Sequence, residues 1–134
     1  MKLRPVLGEV DYVCLKDIIK LPELSRFHRA SELELLSDLL ATVHVTKDIR
    51  FLDDRVGLYD VVRMVSPVDS RDWFKLSVVP PEDEDFTLDR FSVLEPISLA
   101  VLGRRCGEWV DWDAPVGRRK MSIVSVTKLA DCLA

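Results

Sequence analysis

The sequence predicts an α+β protein in which two short helices precede a small antiparallel β-sheet. Apolar residues recur at helical spacing before His44, apolar and polar residues alternate in short runs after it, and turns rich in proline and glycine separate these runs. The chain has 134 residues, of which 48 % are hydrophobic. This length and composition suit one compact domain, or one domain with a small appendage.

Two helices are expected in the first part of the chain. Residues 11–20 carry apolar side chains at positions that suit a short helix, and Pro22 disfavours its continuation. Ser31 and Glu34 form a capping box that predicts the start of a second helix. This helix has a wide apolar stripe that must be covered, made of Leu33, Leu36, Leu40 and Val43 with Leu35 and Leu39 beside them. The first helix is the simplest partner, so we expect residues 1–54 to form a short helical hairpin or arm.

The following segments have the features of strands. Residues 59–65 form a β-prone run that ends at Ser66 and Pro67. Residues 73–79 alternate, with Phe74, Leu76 and Val78 on the face expected to meet the core. The prolines and acidic residues of 80–85 interrupt the sheet, and residues 91–94 resume it.

The last part of the chain predicts a short helix followed by a hairpin. Residues 97–102 suit a helix with Pro96 in its first turn and Gly103 at its C-terminal end. Residues 108–112 and 121–126 are strand-like, and residues 114–117 between them form a turn. We therefore expect residues 55–134 to form a second unit, an antiparallel sheet packed on a short helix.

Charge and cysteine content exclude several classes of protein. There are 19 basic and 23 acidic side chains, which gives a net charge of -4 and argues against a protein whose main partner is nucleic-acid phosphate. The three cysteines, Cys14, Cys106 and Cys132, are widely spaced and support neither a disulfide framework nor a zinc site. No run of apolar residues resembles a signal peptide or a membrane span. We expect a cytoplasmic protein with no membrane contact and no sequence-specific DNA binding.

No catalytic or metal-binding constellation is visible. The two histidines, His28 and His44, lie 16 positions apart without a neighbouring ligand motif, and no nucleophile elbow or phosphate-binding loop is present. The acidic run 82–85 lacks the ligand spacing of a calcium loop, so a solvated loop is the favoured interpretation. We expect no cofactor, no metal and no enzymatic activity.

Two basic clusters and one tryptophan remain as candidates for a binding surface. Residues 104–105 and 118–120 could meet an acidic partner or an RNA phosphate if the fold brought them together, and a solvated face is the alternative. Trp109 alternates with Val110 and Trp112, which favours an outward orientation and a role as an interface anchor. Partial burial under a loop is the alternative for Trp109.

Residues 91–108, FSVLEPISLAVLGRRCGE, resemble the C-terminal signature of the Gre transcript-elongation factors. That family typically shows I-S-x-x-S-P-L-G-x-A-L-L-G-x-x-x-G-D, followed by V-x-V-x-x-P-x-G and a final strand. Val110, Trp112, Pro115 and Gly117 keep this order, and the likeness extends over residues 56–126. Three positions depart from the pattern, namely Leu94, Glu95 and Ser98.

The resemblance implies a fold, a partner and a docking segment. It implies an FKBP-like C-terminal domain that binds bacterial RNA polymerase near its secondary channel. The polymerase-binding residues would be Leu94, Glu95, Pro96, Ile97 and Ser98, with Trp109 as a further partner-binding residue. In that family two long helices carry acidic groups at their tip, whereas the helices expected here are short. In this respect the chain is similar to the short-armed relative called the regulator of nucleoside diphosphate kinase.

Four functions follow from this resemblance. The leading one is a regulator that binds RNA polymerase without stimulating transcript cleavage. The second is a regulator that binds another cytoplasmic protein, such as nucleoside diphosphate kinase. A true cleavage factor that supplies carboxylates to polymerase-bound magnesium ranks third. Peptidyl-prolyl isomerase activity ranks last, because fold alone does not imply function.

Overall fold

The computed structural model describes residues 4–20 and 30–129. Its helices and strands follow in the order β1 (Val6–Gly8), α1 (Glu9–Ile19), α2 (Ala30–Thr42), β2 (His44–Thr46), β3 (Val61–Val65), β4 (Trp73–Val79), β5 (Arg90–Ser92), α3 (Pro96–Val101), β6 (Trp109–Ala114) and β7 (Gly117–Thr127). Short 3-10 turns lie at Ile49–Leu52, Pro81–Asp83 and Phe86–Leu88. The predicted α+β class is confirmed. In the described ranges, none of the helices has the length and apolar character needed to cross a membrane.

The main sheet has five strands in the order β5-β4-β3-β7-β6. All its neighbours are antiparallel except β4 and β5, which run parallel with Ser77 opposite Arg90. The expectation of a purely antiparallel sheet is therefore wrong at this edge. Two 3-10 turns and the left-handed residue Asp89, with a φ of 57°, carry the chain back along β4 before β5 begins. This return makes β5 enter the sheet in the same direction as β4.

Several predicted elements are confirmed with small shifts. β4 has the predicted bounds and buries Leu76 and Val78 on the predicted face. β3 begins at Val61, two residues later than predicted, because Tyr59 adopts a left-handed φ of 68° that no strand accommodates. The predicted hairpin is formed by β6 and β7, and Ala114 pairs with Gly117 across a two-residue loop.

The two predicted helices form and contact each other. α1 has 11 residues and α2 has 13, which correspond to about 16 and 20 Å of helix at 1.5 Å per residue. α2 begins at Ala30, so Ser31 lies inside its first turn rather than before it. The predicted turn at residues 21–26 lies outside the described residues.

One hydrophobic core joins the helices to the sheet. Leu15 of α1 and Leu36 of α2 are fully buried in the same cluster as Met64, Leu76 and Met121 of the sheet. The apolar stripe of α2 thus packs against α1, as predicted, and also reaches the sheet side of the core. The division into units 1–54 and 55–134 stays a prediction, and core contacts cross it.

A small second sheet, which the sequence did not predict, is made by β1 and β2. These three-residue strands run parallel, and the N–H of His44 also donates to the carbonyl of Pro5 at 2.9 Å. The helical pair is thereby closed at its base, because β1 precedes α1 and β2 follows α2.

Gly103 connects this N-terminal part to the rest of the fold. Its N–H donates to the Val56 carbonyl at 2.8 Å, and its carbonyl accepts from the Val6 N–H and from Arg55 Nη1, each at 3.0 Å. Its φ is 77°, and an added Cβ would lie 2.8 Å from Pro5 Cβ and 2.9 Å from the backbone nitrogen of Val6. Glycine is required here for both conformation and space.

Gly103→Ala should lower the free energy of unfolding by at least about 2 kcal/mol, because left-handed strain of about 1–2 kcal/mol adds to a clash with backbone. Gly107→Ala is the matched control, since Gly107 also has a positive φ, 96°, but an added Cβ would meet nothing within 4 Å. Urea denaturation measures both. Equal losses in the two variants would contradict the close packing at Gly103.

Leu36→Ala should cost about 2–5 kcal/mol of stability, the usual range for truncation of a buried leucine. Its neighbour Leu35 is 53 % exposed on the same helix, so Leu35→Ala should cost less than about 1 kcal/mol. Thermal and urea unfolding of both variants check this contrast. A loss below 1 kcal/mol for Leu36→Ala would show that α2 does not contribute its stripe to the core in solution.

Candidate functional site

A concavity of about 400 Å³ lies between the N-terminus of α3 and the β6–β7 hairpin. We call it the α3 groove. It is lined by Glu95, Pro96, Ile97, Trp112, Asp113, Ala114 and Pro115. It therefore brings the central residues of the predicted docking segment next to a hairpin that follows about 15 positions later in the chain.

Local hydrogen bonds position the α3 side of the groove. The Leu94 N–H donates to Ser92 Oγ at 3.1 Å, and the Glu95 N–H donates to the Ser92 carbonyl at 3.0 Å. These bonds turn the chain out of β5. Pro96 then occupies the first turn of α3, where its missing N–H costs no helical hydrogen bond. The groove wall is thus set by a tight turn and a proline with restricted φ.

The hairpin side is positioned by strand alternation. Trp112 points into the core and is 8 % exposed, and its ring meets Phe74 edge-on with a centroid distance of 6.3 Å. Asp113, the next residue, points the opposite way and is exposed. Pro115 lies in the exposed two-residue loop. The groove therefore has an apolar floor made by Trp112 and Ile97.

The charged groups that line the groove are both carboxylates. Asp113 accepts a hydrogen bond from Arg118 Nη1 at 3.0 Å, and Glu95 precedes the first turn of α3. The lining contains no histidine, cysteine or lysine that could act as a base or nucleophile. Such a groove suits an apolar side chain flanked by basic residues, and it fits a binding role better than a catalytic one.

The structure divides the predicted docking residues into buried and accessible ones. Leu94, Ile97 and Ser98 are 4 %, 7 % and 0 % exposed, whereas Pro96 is exposed and Glu95 is half-buried. Ile97, which the resemblance implied as a polymerase-binding residue, is therefore covered by the protein's own core. α3 has only six residues and lies against β6, so the side chains on its inner side are buried in the core. A partner would meet Glu95 and Pro96 first, with Ile97 beneath them.

Trp109 is exposed, as the alternation predicted, but it does not belong to the α3 groove. It is 49 % exposed and lies on the sheet face opposite Val110 and Trp112. The predicted site residues therefore fall on two separate surfaces. The alternation in the sequence alone was sufficient to place Trp109 and Trp112 on opposite faces of the sheet.

The two basic clusters are largely neutralised within the protein. Arg105 pairs with Asp54 at 2.9 Å, and Arg119 pairs with Asp72 at 3.0 Å. Arg118 pairs with both Asp111 and Asp113, at 3.1 and 3.0 Å. Arg104 lies 4.0 Å from Glu108. Asp54 and Asp72 come from distant loops, and Asp111 and Asp113 come from the facing strand. The sequence clusters therefore do not form one basic surface.

The acidic run 82–85 makes structural hydrogen bonds. The Tyr59 hydroxyl donates to Asp83, and this bond raises the pKa of Tyr59 to about 12. Glu84 Oε2 accepts from the Ser92 N–H at 3.0 Å, and the backbone N–H and carbonyl of Asp85 pair with those of Arg90. Asp85 Oδ1 accepts from the Thr87 hydroxyl at 2.6 Å and from the Thr87 N–H at 3.0 Å, and these bonds lower the pKa of Asp85. Across residues 4–20 and 30–129, no group of three metal-ligating side chains comes together.

A larger groove of about 930 Å³ lies beside α1 and is mainly apolar, with exposed Val10, Val13 and Ile49 on its walls. Asp11 of α1 lines this groove, and its carboxylate accepts a hydrogen bond from the Leu58 N–H at 3.2 Å. Burial raises the pKa of Asp11 above the ordinary aspartate value.

Comparison with known families assigns the chain to a family. Residues 52–128 match the sequence profile described as "Transcription elongation factor, GreA/GreB, C-term". The chain belongs to this family. The match contains all residues of the α3 groove, and it confirms the resemblance on which the docking segment was predicted.

Full-length relatives and solved structures agree with this assignment. The chain is 27 % identical to transcription elongation factor GreA of Mesorhizobium japonicum over an alignment of 114 residues, which covers 79 % of this chain and 72 % of that protein. The fold resembles the transcription elongation factor GreA/GreB from Nitrosomonas europaea, with a TM-score of 0.75 and 23 % identity over 95 % of this chain and 100 % of that one. GreA factor homolog 1 of Thermus thermophilus matches with a TM-score of 0.52 and 20 % identity, over 94 % of this chain and 100 % of that one.

Proposed function

We propose that this Gre-family chain is a non-enzymatic transcription regulator that binds RNA polymerase near its secondary channel through the α3 groove. The family match over residues 52–128 supports the partner, and the accessible Glu95 and Pro96 above the apolar floor of the groove support the contact surface. The groove also has the chemistry of a docking site. Its floor is apolar, and its rim carries the exposed Pro96 beside two carboxylates, of which Asp113 is paired with Arg118.

The proposal includes an architecture for residues 55–134, namely an FKBP-like sheet packed on α3. Ile97 and Val101 of α3 are buried in the same core as Val110 and Trp112 of β6, so the helix is held firmly against the sheet. This rigidity fixes the first turn of α3 as a docking element. The fold likeness to isomerases gives no reason to assign isomerase activity.

The regulator is proposed to act without stimulating transcript cleavage. Cleavage by a factor of this kind requires acidic groups carried to the polymerase's magnesium on a long arm, as the resemblance implies. The helices here measure about 16 and 20 Å, and their inward side chains belong to the common core. In the acidic run 82–85, Asp83 and Glu84 are engaged in hydrogen bonds with the Tyr59 hydroxyl and the Ser92 N–H.

Regulation of nucleoside diphosphate kinase, or of another cytoplasmic protein, is the alternative. It rests on the short helices that the chain shares with the short-armed relative. The same groove would then bind a different protein, so the two functions are separated by the identity of the partner. Both partners can be tested in parallel with purified proteins.

Pro96→Arg should weaken binding to RNA polymerase at least about ten-fold, because it places a bulky cation on the rim of the groove. Val10→Arg, on α1 and 83 % exposed, is the control and should bind as the wild type does. Biolayer interferometry with bacterial RNA polymerase, and in parallel with nucleoside diphosphate kinase, measures both. Thermal unfolding verifies that both variants fold. Unchanged polymerase binding by Pro96→Arg would remove the groove from the interface.

In backtracked elongation complexes, the protein alone should produce no shortening of end-labelled RNA. Mixed with an authentic Gre factor, it should slow cleavage in a dose-dependent way because both occupy one docking site. The Pro96→Arg variant should lose this inhibition. Magnesium-dependent shortening of the RNA by the protein alone would overturn the non-cleaving assignment, and an absence of inhibition by the wild type would refute the shared site.

A further inference from the structure

The outer face of the main sheet, opposite the core, carries two exposed tryptophans in one row. Trp73 of β4 lies opposite Val65 of β3, Val65 lies opposite Ser122 of β7, and Ser122 lies opposite Trp109 of β6. The indoles are 46 % and 49 % exposed. Three strand spacings separate them, which amounts to about 14 Å. Tryptophan is enriched at binding interfaces, because its ring supplies a large apolar area and its N–H a hydrogen bond.

Each indole has a cation from the neighbouring inner strand over one face of its ring, which leaves the opposite face for a planar ligand group. The guanidinium of Arg63 lies 3.9 Å from the ring centroid of Trp73, and Nζ of Lys120 lies 5.7 Å from that of Trp109. Lys75 is exposed and lies opposite Arg63 in the β3–β4 register. The face thus alternates planar aromatic surface with positive charge.

No carboxylate of the described residues neutralises these three cations. In the part of the chain that the structure describes, Arg63, Lys75 and Lys120 lie within ion-pair distance of no carboxylate. The two carboxylates of this face, Asp111 and Asp113, both pair with Arg118. Although the chain as a whole is acidic, this face is locally positive.

We propose that this outer face binds single-stranded RNA, with one base stacked at Trp73 and another at Trp109. Base stacking on aromatic side chains combined with basic residues along the backbone is the general means of binding single strands, and sheets provide flat platforms for it. An acidic protein segment would use the cations but would leave the two ring surfaces without planar partners. A duplex would keep its bases stacked internally and could use neither indole.

The spacing defines how the strand lies. Adjacent stacked bases are about 3.4 Å apart, so two neighbouring bases cannot reach both indoles. The strand must instead run across the sheet with intervening nucleotides over Val65 and Ser122. The Ser122 hydroxyl lies in this row and can hydrogen-bond a ribose 2′-hydroxyl, which favours RNA over DNA. This surface is distinct from the α3 groove, so RNA binding does not depend on the polymerase contact proposed above.

The test uses the full chain and a fluorescently labelled eight-nucleotide oligouridylate, with binding followed by anisotropy. Trp73→Ala and Trp109→Ala should each weaken binding about ten- to a hundred-fold. Val10→Ala, which removes an exposed apolar residue from α1, is the control and should bind as the wild type does. Because three cations contact phosphates, log K should fall with log salt with a slope of about -2, and Lys120→Ala should reduce that slope by about 0.7.

Competition experiments identify the ligand class. Oligodeoxythymidylate of equal length should compete more weakly than the RNA, and Ser122→Ala should narrow this difference. Duplex RNA and a glutamate-rich peptide should not displace the oligouridylate. The proposal is overturned if the wild type does not bind the RNA below about 100 μM, which is the range of ordinary nonspecific association. It is also overturned if the tryptophan variants bind normally, or if DNA, duplex RNA or the acidic peptide binds as well as the single-stranded RNA.

Discussion

The hydrogen bonds at Gly103 are the constraint on which the arrangement of this protein depends. One backbone unit joins the end of α3, the segment at Val56 and the strand β1, and only a glycine fits because Pro5 and Val6 approach so closely. Since β1 leads into α1, this contact sets where the helices meet the sheet. Gly103 also follows the C-terminal end of α3. Its hydrogen bonds therefore fix the position of this end of the helix, whose other end lines the α3 groove.

The parts of the fold that local sequence patterns predicted are those with long alternating or periodic runs. β4 and the β6–β7 hairpin follow from alternation and turn residues, because the pattern itself states which side is buried. β1, β2 and β5 have three residues each, too few for such a pattern. Their pairing is decided by contacts between distant residues, such as Val6 with His44, which no local window contains.

The candidate site was predictable as a segment but not as a surface. The family-like sequence of residues 91–108 indicated where to look, yet it did not show that Ile97 and Ser98 face the core, because this depends on α3 lying against β6. The basic clusters show the same limit. Arg119 is neutralised by Asp72, a residue 47 positions away, and only the three-dimensional structure brings them together. Lys120, its neighbour in sequence, points to the other face and remains available.

The acidic run 82–85 has a consequence for how the protein behaves at high concentration. A terminal strand such as β5 normally exposes backbone groups that can pair with another chain. Here the Ser92 N–H is occupied by Glu84, and both backbone groups of Arg90 are occupied by Asp85. The run therefore closes this margin of the sheet and surrounds it with negative charge. Intermolecular strand addition, the usual first step of aggregation for exposed sheet margins, is blocked on this side of the molecule.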